Sequence, residues 1–128
     1  MTGTDWRYNG LSIKDSQIVA QNFVEHGADY LCISSGGITT GLKIPIAPNY
    51  QVHLAKAVKD VVSIPVRAVG LITTAEQANN IIITGDADMV TLGRAFLANP
   101  RWVWDASIEL DYPIKVPPQN ERAYEALK

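Results

Sequence analysis

Two segments that each run from an apolar stretch into a glycine constrain this fold most. They are residues 64–72, IPVRAVGLI, and residues 88–97, DMVTLGRAFL. Each resembles a buried strand and a helical pattern separates them, which predicts successive strands of a parallel βα array. In a (β/α)8 barrel the loops after strands seven and eight commonly bind a phosphate group. The sequence therefore predicts a phosphate site at Gly70 and Gly93, where an anion can approach the backbone, and at the guanidinium of Arg94.

The length of the chain limits how much of such a barrel it can form. A complete (β/α)8 barrel needs about 250 residues, and this chain has 128. We therefore expect an α/β half-barrel over residues 1–112, which carries the phosphate loops, and a C-terminal tail over residues 113–128. The formal net charge is −2, which offers no basic surface for nucleic acid or for an anionic membrane. This charge favours a small-molecule enzyme.

The cysteine and histidine residues indicate the cellular compartment of the protein and argue against a metal site. Cys32 is the single cysteine, which excludes an internal disulfide and indicates a reducing compartment. The chain has no apolar run of the roughly 20 residues that a membrane span requires, and its first residues do not resemble a signal peptide. We therefore expect a cytoplasmic protein without a membrane partner. His26 and His53 are far apart and have no carboxylates at ligand spacing, so no metal site is predicted.

Local patterns place the other elements. Ser12 followed by Asp15 predicts a capped helix, whose apolar side we assign to Ile18, Val19, Phe23 and Val24. A strand is predicted over residues 30–33, a long loop over 34–49, a helix over 50–62 and a strand over 66–69. Thr74 and Gln77 form a second capping box, and residues 117–122 form part of a polar tail.

Several short motifs follow one another along nearly the whole chain. They are Thr4-Asp5-Trp6, Ser34-Ser35-Gly36-Gly37, Pro48-x-Tyr50-Gln51, Ala68-Val69-Gly70-Leu71-Ile72, Ala87-Asp88-x-Val90, the segment from Gly93 to Pro100, and Pro117-Pro118-Gln119-x-Glu121-Arg122. In this order they resemble the C-terminal half of the old yellow enzyme family, specifically the thermophilic-like ene-reductases. The resemblance implies a (β/α)8 barrel with FMN at the carboxyl ends of its strands. It also implies reduction of activated C=C bonds in enones, with NADPH or NADH as the reductant.

The same resemblance assigns roles to individual residues. Gly93 and Arg94 match the family's glycine–arginine pair at the FMN phosphate, Gly70 matches a backbone contact after strand seven, and Ser34 matches a serine after strand six. Arg122 matches a tail arginine that reaches into the active site of a neighbouring subunit, which implies a homo-oligomer in the intact family. The family's residues for the flavin ring, the substrate carbonyl and the proton donor belong to the first half of the barrel. No catalytic residue is therefore assigned.

Two alternatives remain open beside an ene-reductase fragment. The strand-seven and strand-eight segments also resemble tRNA-dihydrouridine synthases, although the net charge of −2 provides no basic surface for RNA. A half-barrel could also act as a non-catalytic phosphate-binding or assembly module. In each case we expect unpaired sheet edges and exposed apolar side chains to drive self-association or pairing with the missing N-terminal half. We expect the chain alone to be inactive.

Overall fold

The computed structural model describes residues 1–38 and 40–127. Thr39, within the predicted loop, and Lys128, at the end of the predicted tail, lie outside the described residues. The elements in chain order are α1 (Ile13–Glu25), β1 (Leu31–Ile33), α2 (Val52–Lys59), β2 (Val66–Val69), α3 (Ala75–Ile83), β3 (Met89–Thr91), α4 (Arg94–Ala98), α5 (Trp102–Glu109), a 3-10 helix (Pro118–Asn120) and α6 (Glu121–Glu125).

The strands form one parallel sheet in the order β1-β2-β3 within the described residues. In the register of the sheet, Cys32 pairs with Arg67, which pairs with Met89. Helix α2 connects β1 to β2, and α3 connects β2 to β3. The predicted α/β fold of about three parallel strands with intervening helices, a partial (β/α)8 barrel, is confirmed. An isolated parallel bridge between Thr2 and Ser34 lies beside β1.

Helices cover one face of this sheet. Because side chains alternate along a strand, Leu31, Ile33, Val66 and Ala68 point to the same face and are buried in the core. Their core neighbours from the helices are Ala20, Leu54, Ala55, Val58, Ala78 and Ile81. The alternate residues Cys32, Arg67, Val69, Met89 and Thr91 are half-buried. In a closed barrel this second face would line the interior.

Both predicted capping boxes are confirmed. The Ser12 hydroxyl accepts from the backbone N–H of Asp15, and the Asp15 carboxylate accepts from the Ser12 N–H at 2.9 Å. The Ser12 hydroxyl also donates to the Asp15 carboxylate at 2.6 Å, and this bond, followed by the bond from the Ser12 N–H, holds the pKa of Asp15 below its ordinary value. Thr74 and Gln77 form the equivalent pair at the start of α3. Each box satisfies two backbone donors that a helix would otherwise leave free.

The predicted apolar side of α1 is wrong. Ile18, Val19 and Phe23 are 59%, 38% and 45% exposed, whereas Ser16 and Ala20 are fully buried. The Ser16 hydroxyl is satisfied in the interior because it donates to the carbonyl oxygens of Thr2 and Gly3, at 2.9 and 3.1 Å. Small side chains therefore form the inner surface of α1.

The predicted polar tail is folded against α5. Tyr124 of α6 is 4% exposed, and its hydroxyl is hydrogen-bonded to the Ser107 hydroxyl at 2.8 Å. The Tyr124 ring also makes an edge-to-face contact with Trp104, with ring centroids 6.1 Å apart. A single aromatic residue within a polar stretch thus anchors the segment.

Asp88 connects the amino ends of β2 and β3. Its backbone N–H donates to the Val66 carbonyl at 2.8 Å, and its carboxylate accepts from the Val66 N–H at 2.9 Å. The second carboxylate oxygen accepts from the Lys59 ammonium at 2.8 Å. The bond to Lys59, followed by the bond from Val66, lowers the pKa of Asp88.

This lowered pKa predicts a pH-dependent contribution to stability. The ionised carboxylate stabilises the fold above its unfolded pKa of about 3.9, and the contribution is lost as the pH falls through the lower folded pKa. At pH 7 we expect Asp88→Asn to reduce the free energy of unfolding by at most about 1 kcal/mol, because the pair is partly exposed to solvent. Urea unfolding at pH 7 and pH 3 measures this difference, which should shrink at pH 3. Asp60→Asn, which removes the more exposed pair with Lys56, is the matched control, and an equal loss for both variants at pH 7 would contradict the prediction.

Candidate functional site

A cavity of about 150 Å³ lies where β2 and β3 end. Gly70 follows β2, Gly93 and Arg94 follow β3, and Tyr50 and Gln51 also line the cavity. A dry cavity of about 150 Å³ holds a benzene-sized group, whereas pockets that enclose a whole drug-sized ligand measure about 300–1,000 Å³. The cavity therefore matches one end of a larger ligand.

The backbone at Gly70 passes close to Gln51. Gly70 has a φ of +133°, and a Cβ atom added there would lie 3.1 Å from both the backbone nitrogen and the Cβ of Gln51. A side chain at this position would be strained by the backbone conformation and crowded by its neighbour. Leu71, the next residue, has a φ of +51°. This turn brings main-chain atoms, rather than a side chain, to the cavity wall.

Gly93 leaves free space beside the cavity, and Arg94 brings a positive charge to it. A Cβ atom added at Gly93 would meet nothing within 4 Å among the described residues. Arg94 is exposed, and the ion pairs of residues 1–38 and 40–127 are Lys56 with Asp60 and Lys59 with Asp88. Arg94 thus lines the cavity, and its guanidinium has no carboxylate partner in this part of the chain. A permanently charged donor in this position favours an anionic ligand.

A chain of hydrogen bonds runs from Trp6 to the cavity. The Trp6 indole N–H donates to the Ser35 hydroxyl oxygen at 2.8 Å, and that hydroxyl donates to the Gln51 side-chain oxygen at 2.7 Å. Gln51 is only 4% exposed, and its amide nitrogen makes no hydrogen bond within the described residues. No pattern in the sequence predicted this chain of contacts. The only available signal was that all three residues belong to the quoted motifs.

The structure brings three of the predicted site residues together and leaves two outside. Gly70, Gly93 and Arg94 line the same cavity. Ser34 is exposed at the end of β1 and does not line it, and its backbone N–H donates to the Met1 carbonyl oxygen at 3.1 Å. Arg122 is exposed on α6, also outside the cavity lining. The ligand contacts assigned to all five remain predictions.

Two other features of the described chain bear on its function. No helix in residues 1–38 and 40–127 is long and apolar enough to cross a membrane. In the same residues, no three His, Cys, Asp or Glu side chains form a group that could hold a metal ion.

Comparison with known families identifies the scaffold around this cavity. Residues 24–111, well over half of the chain, match the profile of the NADH:flavin oxidoreductase / NADH oxidase family. The chain belongs to this family. The match covers β1, β2 and β3, and therefore all three residues that converge on the cavity. The resemblance to flavin oxidoreductases that the motifs indicated is confirmed.

Two curated members of this flavin oxidoreductase family illustrate the relationship. An NADPH dehydrogenase of Geobacillus thermodenitrificans is 37% identical over 124 residues, which are 97% of this chain and 36% of the relative. An NADPH dehydrogenase of a second Geobacillus species gives the same identity and coverage. The chain thus spans 36% of the length of these relatives.

Proposed function

We propose that this chain forms the phosphate end of an FMN site in an NAD(P)H-dependent oxidoreductase that reduces activated C=C bonds, such as those of enones. The observation that carries the proposal is the convergence on one cavity of Gly70, Gly93 and an Arg94 that has no ion pair among the described residues, in a member of a flavin oxidoreductase family. NADPH is the proposed reductant because both relatives are named NADPH dehydrogenases.

The polar side chains that line the cavity suit a phosphate group and the first hydroxyl groups of the polyol chain attached to it. Arg94 and Gln51 both line the cavity, where Arg94 provides a charged N–H donor and the Gln51 side-chain amide provides a neutral one. Thr91 also lines the cavity, and its buried hydroxyl has no partner in the described residues. Unsatisfied buried polar groups are costly, so partners supplied by a hydroxylated, anionic ligand would offset that cost.

Each group of the cavity has a separate task in this proposal. Arg94 neutralises the phosphate charge, and Gly93 and Gly70 let the anion approach the main chain. When bound, FMN supplies hydride transfer between the nicotinamide and the substrate, while the protein supplies orientation and electrostatics. Ser34 and Arg122 are the further proposed contacts, Arg122 toward the substrate of a neighbouring subunit in a homo-oligomer. The single cysteine fits the reducing cytoplasm, where we place the protein.

We propose that the rest of the catalytic machinery lies outside these 128 residues. The relatives of this chain are nearly three times as long, since the aligned region is 36% of each. We propose that the missing N-terminal part of the barrel, or a second copy of this chain, covers the half-buried face of the sheet. Of the alternatives, a tRNA-dihydrouridine synthase fragment would share the FMN site and differ in its RNA substrate, and a non-catalytic phosphate-binding or assembly module would lack a reaction.

A comparison of FMN with riboflavin tests the phosphate assignment. Riboflavin lacks the phosphate, so it loses a charge-assisted contact of about 1.5–3 kcal/mol. We expect the purified chain to bind FMN about ten- to a hundredfold more tightly than riboflavin, measured by quenching of flavin fluorescence. Equal affinity for the two flavins, or no binding of FMN, would contradict the proposal.

A further inference from the structure

We propose that Trp6 is a positioning residue for the cavity. Acting through Ser35, it fixes the Gln51 carboxamide so that the N–H2 group, and not the oxygen, faces the ligand. The identity of the ligand as a flavin phosphate rests on the proposed function. The orientation of the carboxamide does not, because it rests on the hydrogen bonds that link the three side chains.

The segment before α1 is folded so as to present the Trp6 indole. The backbone N–H of Trp6 donates to the Thr4 hydroxyl at 3.3 Å, and that hydroxyl donates to the Leu11 carbonyl at 3.2 Å. The Asp5 carboxylate accepts from the Leu11 N–H at 2.8 Å. Trp6 itself has a φ of +56°, an uncommon conformation for a bulky residue. Its ring makes an edge-to-face contact with His53 of α2, with centroids 6.2 Å apart.

The direction of the hydrogen-bond chain follows from the indole. An indole N–H can only donate, so the Ser35 oxygen must accept from it. Because the indole cannot accept, the single hydroxyl proton of Ser35 is not used toward Trp6, and in the structure it is donated to the Gln51 side-chain oxygen 2.7 Å away. A group that accepts this proton must be the amide oxygen, since an amide nitrogen only donates. The Gln51 N–H2 group is therefore on the other side of the carboxamide, toward the cavity.

This orientation determines the sign of the local potential at the anion site. The Gln51 nitrogen lies 3.2 Å from the position that a Gly70 Cβ would take, beside the main chain that we assign to the phosphate. Without the indole N–H, the Ser35 hydroxyl can turn its proton away from Gln51 and accept from the Gln51 amide, and the carboxamide can then turn over. Its oxygen would then face the anion and repel it. Trp6 thus contributes to anion binding without lying in the cavity wall.

The first test measures the carboxamide orientation directly and needs no ligand. In NOE spectra of the chain, the Gln51 side-chain amide protons should show cross-peaks to the Gly70 Hα protons and none to the Ser35 Hβ protons. In Trp6→Phe, which keeps an aromatic ring but removes the donor, cross-peaks to Ser35 should appear. The control is Trp104→Phe, a tryptophan that packs on α6. Ser35 cross-peaks in the unmodified chain, or an unchanged pattern in Trp6→Phe, would overturn the proposal.

The second test measures the coupling of Trp6 to Ser35 by a double-mutant cycle. We expect Trp6→Phe and Ser35→Ala each to lower FMN affinity about three- to tenfold, the effect of one hydrogen bond. The double variant should lose little more than either single variant, because both changes break the same chain. Additive losses would mean that Trp6 acts only through packing, which overturns the proposal. A chain that shows the expected NOE pattern but binds no FMN would refute the proposed function and leave the positioning role intact.

Discussion

Arg94→Ala should lower the affinity for FMN by about ten- to a hundredfold. The substitution removes a charge-assisted contact to the phosphate of about 1.5–3 kcal/mol, and each 1.4 kcal/mol changes the dissociation constant about tenfold. Fluorescence titration with FMN measures the change. Because the guanidinium has no ion pair within residues 1–38 and 40–127, we expect little change in the free energy of unfolding.

Two controls isolate the phosphate contact of Arg94. Riboflavin affinity should hardly change in Arg94→Ala, because the lost partner is absent from that ligand. Arg101→Ala should leave FMN affinity unaltered, since this arginine stacks over the Trp104 ring at 4.2 Å and does not line the cavity. An unchanged FMN affinity in Arg94→Ala, or an equal loss for both flavins, would count against the assignment.

The purified chain should not reduce cyclohexenone with NADPH faster than free FMN does. Ene reduction requires a flavin held along its whole ring, a donor to the substrate carbonyl and a positioned proton source. The cavity of about 150 Å³ accommodates only one end of the cofactor. Oxidation of NADPH, followed by its absorbance, measures the rate.

Adding the complementary part of a barrel provides the matched experiment. When the chain is mixed with the remaining portion of the Geobacillus thermodenitrificans NADPH dehydrogenase, we expect some enone reduction to appear. With the Arg94→Ala chain in the same mixture, the activity should fall at subsaturating FMN. Turnover by the chain without any partner would show that the catalytic groups lie in these 128 residues.

Structural features that depend on residues close together in the sequence were predictable from the sequence. The capping boxes of Ser12 and Thr74 each depend on residues three positions apart, and both form as predicted. Strand β2 has the predicted bounds, because a short apolar run between turn residues leaves few alternatives. The loops at Gly70 and Gly93 meet at one cavity because the carboxyl ends of parallel strands share one edge of the sheet.

Features that depend on tertiary partners were not predictable in the same way. The inner face of α1 consists of Ser16 and Ala20, and apolar periodicity cannot find a serine that is satisfied by distant carbonyl groups. The link from Trp6 through Ser35 to Gln51 joins residues 29 and 16 positions apart. Only the three-dimensional arrangement brings these side chains within hydrogen-bond distance.

Asp88 lies at the amino ends of β2 and β3, yet it determines the distance between the Gly70 and Gly93 loops at the carboxyl ends of these strands. Its exchange of hydrogen bonds with Val66 fixes how β3 lies along β2, so that Val69 and Thr91 are paired at the far end. A slip of one residue would displace Gly93 by about 3.3 Å along the strand and turn Thr91 to the other face of the sheet. A carboxylate that touches no ligand therefore sets the separation between the two glycine loops. The relative position of the two loops that form the anion site is therefore set by contacts at the amino ends of the strands.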